Sequence, residues 1–268
     1  MFLGIVALAG IGAAAHAKNE VAIYTGTTQW ITKAKADAQA AICVDALKKA
    51  GIKNTLLSAA GDMGALANWM KAVTNDKGLD VCVLYGDFPP SLYPEKNAQP
   101  DGSIAETFIE STDGDAFLNH ADYMFWGLNG RNEEGGLKNM MDIPTITMWD
   151  DNTKLTVTAE GKAISPTLAT INNLESDRPF HINELAKDWK VEVLLTTNAA
   201  GTRGDPIIVR DGNRGRLIPC IQTADQDEPK GAVAAEIITW LFKQFGGGST
   251  AVEPKDKLSV TWAEMKER

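Results

Sequence analysis

The chain has 268 residues, 44% of them hydrophobic and 23% charged, enough apolar material for one large α/β domain with a full core. Its 26 basic and 35 acidic residues give a net charge of −9 with no Lys/Arg stripe. Nucleic acid and anionic membrane surfaces are therefore excluded as partners on charge grounds.

Phe2 to Ala15 is an apolar run too short for a spanning helix, and it is followed by Ala15-His16-Ala17, the small-residue pattern at which signal peptidases cut. It reads as a secretory signal over residues 1–17, lacking only a basic leading segment. A soluble, secreted or periplasmic product starting at Lys18 is expected, with no membrane span. Cys43, Cys82 and Cys220 are widely spaced and form no C-x-x-C, so they read as small apolar core fillers.

Val21 to Thr25 forms a short first strand. Gly26-Thr27-Thr28-Gln29 then turns the chain into a helix from about Trp30 to Ala50, where Ile31, Ala34, Ala38, Ala41 and Ile42 repeat at helical spacing. Free backbone donors at Thr27, Thr28 and Gln29 would suit an anion there. Thr55 to Ser58 is a second strand. Asp62 caps a helix with Met63, Leu66, Met70 and Val73 on one face.

The stretch Leu79 to Pro94 organises the rest. Val81 to Tyr85 is apolar throughout, as a strand covered on both faces must be, and Gly86 with Pro89-Pro90 ends it abruptly. The carboxyl ends of such strands border the binding crevice of open α/β sheets. After an excursion from Asp87 to Gly102, Ser103-Ile104-Ala105-Glu106 matches a capping box. Ala121 to Trp126 predicts the fourth strand, closed by Gly127-Leu128-Asn129-Gly130, and Gly135 to Met141 a short helix. Thr145 to Trp149 and Leu155 to Thr158 read as extended. Lys190 to Thr196 reads as a further core strand. Pro206 to Arg210 and Arg216 to Gln222 form a hairpin across Asp211-Gly212-Asn213. Val233, Ile237, Trp240 and Leu241 share a face of the last helix, which Gly246 to Gly248 stop. Residues 248–268 are a linker and a tail carrying Leu258, Val260, Trp262 and Met265.

Strand and helix alternating through residues 18–247, with a β-rich insertion, predicts a doubly wound, mostly parallel, flavodoxin-like sheet flanked by helices. The segments VAIYTG, DVCVLYGDFP, DYMFWGLNG and GRLIPCIQTADQDEPKGAVAAEIITWL together resemble the class I glutamine amidotransferase-like superfamily, in its trehalose-utilisation-protein-like branch, over about residues 20 to 245. The resemblance implies a cysteine on a G-x-C-x-G elbow with a later His and Glu. Here the elbow would be Gly127-Leu128-Asn129-Gly130, one residue short and without cysteine, and Thr223 to Glu228 stand where His-x-Glu belongs. Attack on a glutamine amide needs an activated thiolate, so amidotransferase chemistry is not expected.

Other catalytic sets are incomplete as well. His120 and His181 lack ligand-spaced partners and read as structural, His181 in a helix entry capped by Asp177. No G-x-S-x-G occurs, and Gly26-Thr27-Thr28 is no dinucleotide fingerprint; no cofactor or metal is expected. Arg203 is expected to pair with Asp205. The acidic clusters at Asp150-Asp151 and Asp225 to Glu228 match no calcium loop. The candidate ligand-binding set is Tyr85, Asp87, Asn129, Arg131, Trp149, Gln222 and Asp225, mostly after strand ends. It combines aromatic faces with amide, carboxylate and guanidinium groups, as sugar sites do. A ligand-binding or interaction domain for carbohydrate or cell-envelope material is the leading expectation. The alternatives are a hydrolase using Asp87, Asp150 or Asp225, with or without a metal, and an envelope assembly component docking through Ser249 to Arg268.

Overall fold

A computed structural model of the chain describes residues 19–28, 30–86, 88–94, 102–120, 133–148, 151–223 and 227–246. The leader segment 1–17, the tail 248–268 and the stretch 121–132 lie outside these residues. β1 (Glu20–Tyr24) is buried from Val21 onward, and it leads to α1 (Lys33–Lys49). This helix starts three residues later than its periodicity suggested, because Thr32 takes the N-cap and its hydroxyl accepts from Lys35 N–H at 3.3 Å. The buried face is also different: Ala36, Ala40, Cys43, Val44 and Leu47 point inward, whereas Ala34, Ala38, Ala41 and Ile42 are exposed. Alanines spread around the helix leave little contrast between faces, so spacing alone did not fix the phase.

β2 (Lys53–Leu57) is an exposed edge strand, and α2 (Met63–Val73) buries Leu66, Met70 and Val73, each contributing roughly 1.5–3 kcal/mol by leaving water. β3 (Val81–Leu84) is buried at every position. α3 (Ile104–Ile109) has the expected capping box: Ser103 Oγ accepts from Glu106 N–H at 3.0 Å, and Glu106 Oε2 accepts from Ser103 N–H at 2.9 Å. The sheet strand β4 is Ala116–Asn119, a segment not expected as a strand; the strand expected at Ala121 to Trp126 lies outside the described residues. α4 (Glu133–Met140) follows. Residues 145–148 form no strand.

Then come β5 (Thr153–Lys154), β6 (Thr156–Val157), α5 (Ala159–Ile164), β7 (Glu175–Ser176) and β8 (Phe180–His181), the short pieces of the insertion. β9 (Trp189–Val193), β10 (Thr196–Thr197), β11 (Arg203–Gly204), β12 (Ile208–Asp211) and β13 (Arg216–Pro219) precede α6 (Lys230–Phe245). The β12–β13 hairpin turns at Gly212, whose φ of 52° is the left-handed conformation the Asp-Gly cue implies.

The main sheet has the order β2-β1-β3-β4-β13-β12-β9. From β2 to β13 every pairing is parallel, and the antiparallel β12 and β9 extend one side. This is the flavodoxin-like order with an antiparallel extension. β9 is thus a half-buried edge, not a core strand. Three two-stranded ladders, β5–β7, β6–β10 and β8–β11, make the insertion. Alternate residues of the central strands face two separate cores, as strand geometry requires. Ile23, Val83 and Leu118 pack with α1 and α6; Ala22, Leu84 and Phe117 pack with α2, α3 and α4. α1 and α6 approach closely at Gly231, where an added Cβ would stand 2.0 Å from Gln39 O. No helix among the described residues is long and apolar enough to cross a membrane.

Candidate functional site

β3 and β4 are paired in register, Val81 with Ala116 through Leu84 with Asn119. The next residue of each, Tyr85 and His120, therefore leaves the sheet side by side at the carboxyl edge. Their rings stack, with centroids 4.9 Å apart and planes 29° apart. β13 adds Cys220 to Thr223 on the other flank of β4, and the buried Gly86 meets the β1 loop so tightly that a Cβ on it would lie 1.9 Å from Thr27 O.

Asn119 ties these ends together. Its Nδ2 donates to Gly86 O at 2.7 Å, and Gln222 Nε2 donates to both Asn119 O and Asn119 Oδ1 at 2.7 Å. His120 Nδ1 lies 2.7 Å from Cys220 O. A carbonyl can only accept, so Nδ1 carries the proton and Nε2 is a bare acceptor. Burial, helped by the cation of Lys230, lowers the His120 pKa to about 3, and the ring is neutral at physiological pH.

Ile221 has φ 58°, a left-handed conformation that is strained for a β-branched residue by about 1–3 kcal/mol. Two buried charges hold it there. Asp205 accepts from Ile221 N–H at 2.6 Å, Gln222 N–H at 2.5 Å and Ser176 Oγ at 2.6 Å, while Lys230 Nζ donates to Ile221 O at 3.0 Å and Thr223 O at 3.2 Å. Burial raises the Asp205 pKa to about 6 against these bonds and lowers that of Lys230. The clamp aims Gln222 at Asn119.

Of the predicted set, Tyr85 and Gln222 are brought to this one edge. Asp87, Asn129, Arg131, Trp149 and Asp225 lie outside the described residues, as do Asp150 and the turn Gly127 to Gly130. Asn119, His120, Asp205 and Lys230 belong to the site and were missed. A signal was present for two of them: Asp80-Val-Cys-Val-Leu-Tyr85 and Asp115-Ala-Phe-Leu-Asn-His120 repeat one pattern, an Asp, apolar residues and an aromatic ring. His120 consequently follows a strand where the sequence placed it before one.

His181 differs from its predicted setting. It sits in β8 and opens a 3-10 turn at Ile182–Glu184; Asp177 caps no helix, donating its N–H to Gln222 O at 2.9 Å instead. Its Nδ1 is 3.0 Å from Glu184 Oε1 and 2.9 Å from Thr147 Oγ1, and its Nε2 is 3.3 Å from Asp151 Oδ2. Arg203 binds Asp151 at 2.7 Å, not Asp205. Thr27 and Thr28 precede α1, whose N-cap is Thr32, so they do not lie at its first turn; Gln29 lies outside the described residues.

The three thiols are fully buried, Cys43 and Cys220 in the core with Tyr85 and Cys82 in the other. Burial pushes Cys43 up to about 12 and raises Cys82 and Cys220 as well. Beside Gln222 an open cleft of about 460 Å³ is lined by Asn172, Glu175, Asp177, Thr223 and Glu228 among others. Among the described residues no group of three or more His, Cys, Asp or Glu side chains is arranged to hold a metal.

A solved structure shares this architecture. A protein from Bacteroides uniformis ATCC 8492 described as thua-like superposes with a TM-score of 0.50 over 89% of this chain and 98% of its own, at 10% sequence identity. At that identity the likeness bears on fold alone, and it agrees with an α/β, flavodoxin-like sheet carrying a β insertion. No family model and no curated protein matches the sequence.

Proposed function

We propose that this chain is an exported, glutamine amidotransferase-like domain that binds a ligand at the carboxyl edge of its sheet and does not hydrolyse glutamine. The observation that carries the reading is the state of sulfur. All three thiols are buried and held protonated, and the sequence has no cysteine between Cys82 and Cys220 where an elbow would need one. Without a thiolate the acyl-enzyme route has no first step.

What supports binding is the character of the edge. An open cleft walled by the amides of Asn172 and Asn173, the Thr223 hydroxyl and the carboxylates of Glu175 and Asp177 lies at this edge, with the buried Tyr85–His120 stack and the Asn119–Gln222 amide pair as its support. Amide, hydroxyl and carboxylate groups lining one cleft suit the hydroxyls of carbohydrate. Purified protein should release no ammonia from glutamine at high enzyme concentration, and should give a saturable signal on a glycan array confirmed by calorimetry. Glutamine turnover blocked by iodoacetamide would overturn the non-amidotransferase reading; a flat array and flat calorimetry would remove carbohydrate as the ligand.

A further inference from the structure

A groove of about 430 Å³ runs along α6, away from the carboxyl-edge cleft and sharing no lining residue with it. Its wall is mostly apolar and made of small side chains: Ala46 from α1, Ala163 from α5, Pro166 just beyond α5, and Ala232, Ala235 and Trp240 from α6. Ile42 lies one turn before Ala46 on α1 and is 46% exposed, which continues the apolar surface past the groove. Of the charged residues in the wall, Glu236 is committed elsewhere: it accepts from Ser165 Oγ at 2.5 Å, Thr167 N–H at 3.1 Å and Thr167 Oγ1 at 2.7 Å. Lys243, exposed and near the C-terminal end of α6, is the cation of the rim. An apolar furrow between exposed helices, rimmed by polar groups, is a surface built to be covered.

We propose that the segment Ser249 to Arg268 docks in this groove of its own chain, with Trp262 and its apolar neighbours against the alanines and its acidic residues toward Lys243. Three observations choose this occupant. The segment continues from Gly246, directly after the helix whose Trp240 and Lys243 line the groove. It carries Leu258, Val260, Trp262 and Met265 in an otherwise polar and charged sequence, with Glu264 and Glu267 beside them to meet a cation. The reach suffices as well. From Ala232 to Lys243 the groove follows helix for about 17 Å, whereas the chain from Gly247 to Lys257 extends to about 36 Å, and Gly247-Gly248-Ser249 suits a reversal of direction. Tethering on so short a linker gives an effective concentration of about 1 mM. A contact of modest intrinsic affinity is then mostly closed within one chain, while a second copy must compete against that concentration. Because the groove and the cleft have no residue in common, the docking stands or falls separately from the ligand reading.

The experiment compares the full chain with a full chain carrying Leu258→Asp and Trp262→Asp, whose own segment can no longer dock. Each is titrated by calorimetry with a synthetic peptide of residues 249–268, and its mass is followed by sedimentation. The peptide should bind the doubly substituted chain one to one, at about 100 µM, and the unsubstituted chain about tenfold more weakly, the ratio set by an effective concentration near 1 mM. Ala163→Arg, at an exposed position of the groove wall, should abolish peptide binding to the doubly substituted chain at an unchanged urea midpoint. Lys243→Glu, also exposed, should weaken it about threefold, as one surface ion pair does. Both chains should sediment as monomers. Equal binding to the two chains, no binding to either at millimolar peptide, or binding that survives both Ala163→Arg and Lys243→Glu would overturn the docking. A dimer that the Leu258→Asp and Trp262→Asp changes dissociate would overturn it too, since the segment would then sit on a second copy.

Discussion

Tyr85→Phe should make the free protein more stable, because the hydroxyl it removes has no partner. The ring is fully buried and stacks on His120 at 4.9 Å, and phenylalanine keeps both the buried area and the stacking. What disappears is the desolvation penalty of one unpaired O–H, roughly 1–3 kcal/mol, less whatever the packing recovers by relaxation. A gain of about 1 kcal/mol is expected. For a domain of this size that is a rise in Tm of roughly 2–4 °C. Tyr93→Phe supplies the contrast: Tyr93 Oη donates to Gly136 O at 3.2 Å, and its loss should cost about 1 kcal/mol. Both variants are read by calorimetry and by urea midpoint at constant m-value, without ligand. Should Tyr85→Phe lower stability as much as Tyr93→Phe, the Tyr85 hydroxyl is satisfied in solution and the reasoning from orphaned atoms fails.

The native protein should show no thiol reacting rapidly with Ellman's reagent, and all three should react after denaturation; one fast thiol at pH 7 would contradict the buried, protonated state. Gly231→Ala should destabilise by well over 1 kcal/mol, since its Cβ would fall 2.0 Å from Gln39 O and force α1 and α6 apart; an unchanged urea midpoint would mean that the helices pack more loosely. At the amino edge, Asp80 and Asp115 have pKa values raised to about 8 by burial, with Asp76, Glu20 and Asp113 adding repulsion. Their folded values exceed the unfolded one, so their stabilising contribution is complete below about pH 4 and is lost as pH rises to 8. Asp80→Asn should flatten that decline in a series of urea melts, and an equally steep decline in the variant would exclude Asp80 as its source.

The sheet was legible where the chain gives strong contrast. Val81 to Tyr85 is apolar and ends in glycine and prolines, and Asp-Gly marked the β12–β13 hairpin. Legibility failed where a strand is short and ends in polar residues. Ala116–Asn119 is only four residues long, ends in Asn and is followed by His120, so its hydrophobic pattern is weak and pairing with β3 is what makes it a strand. That hid half the site, because Asn119 and His120 read as loop residues instead of the carboxyl end of a strand.

Asp205 and Lys230 were hidden for another reason. Their roles depend on pairing across the fold with a turn at Ile221 that no local rule predicts. Glycine would sit at φ 58° without strain, and phenylalanine at position 85 would carry no orphaned hydroxyl. The chain instead places a strained isoleucine, a buried carboxylate, a buried ammonium and three unpaired polar atoms, Tyr85 Oη, His120 Nε2 and Gln222 Oε1, along one edge of its sheet. Each of these is unfavourable by itself, and each has a more stable substitute of similar size. Their concentration at the carboxyl ends of β3, β4 and β13, where an open α/β sheet binds its ligands, is what stability alone would remove and recognition would retain.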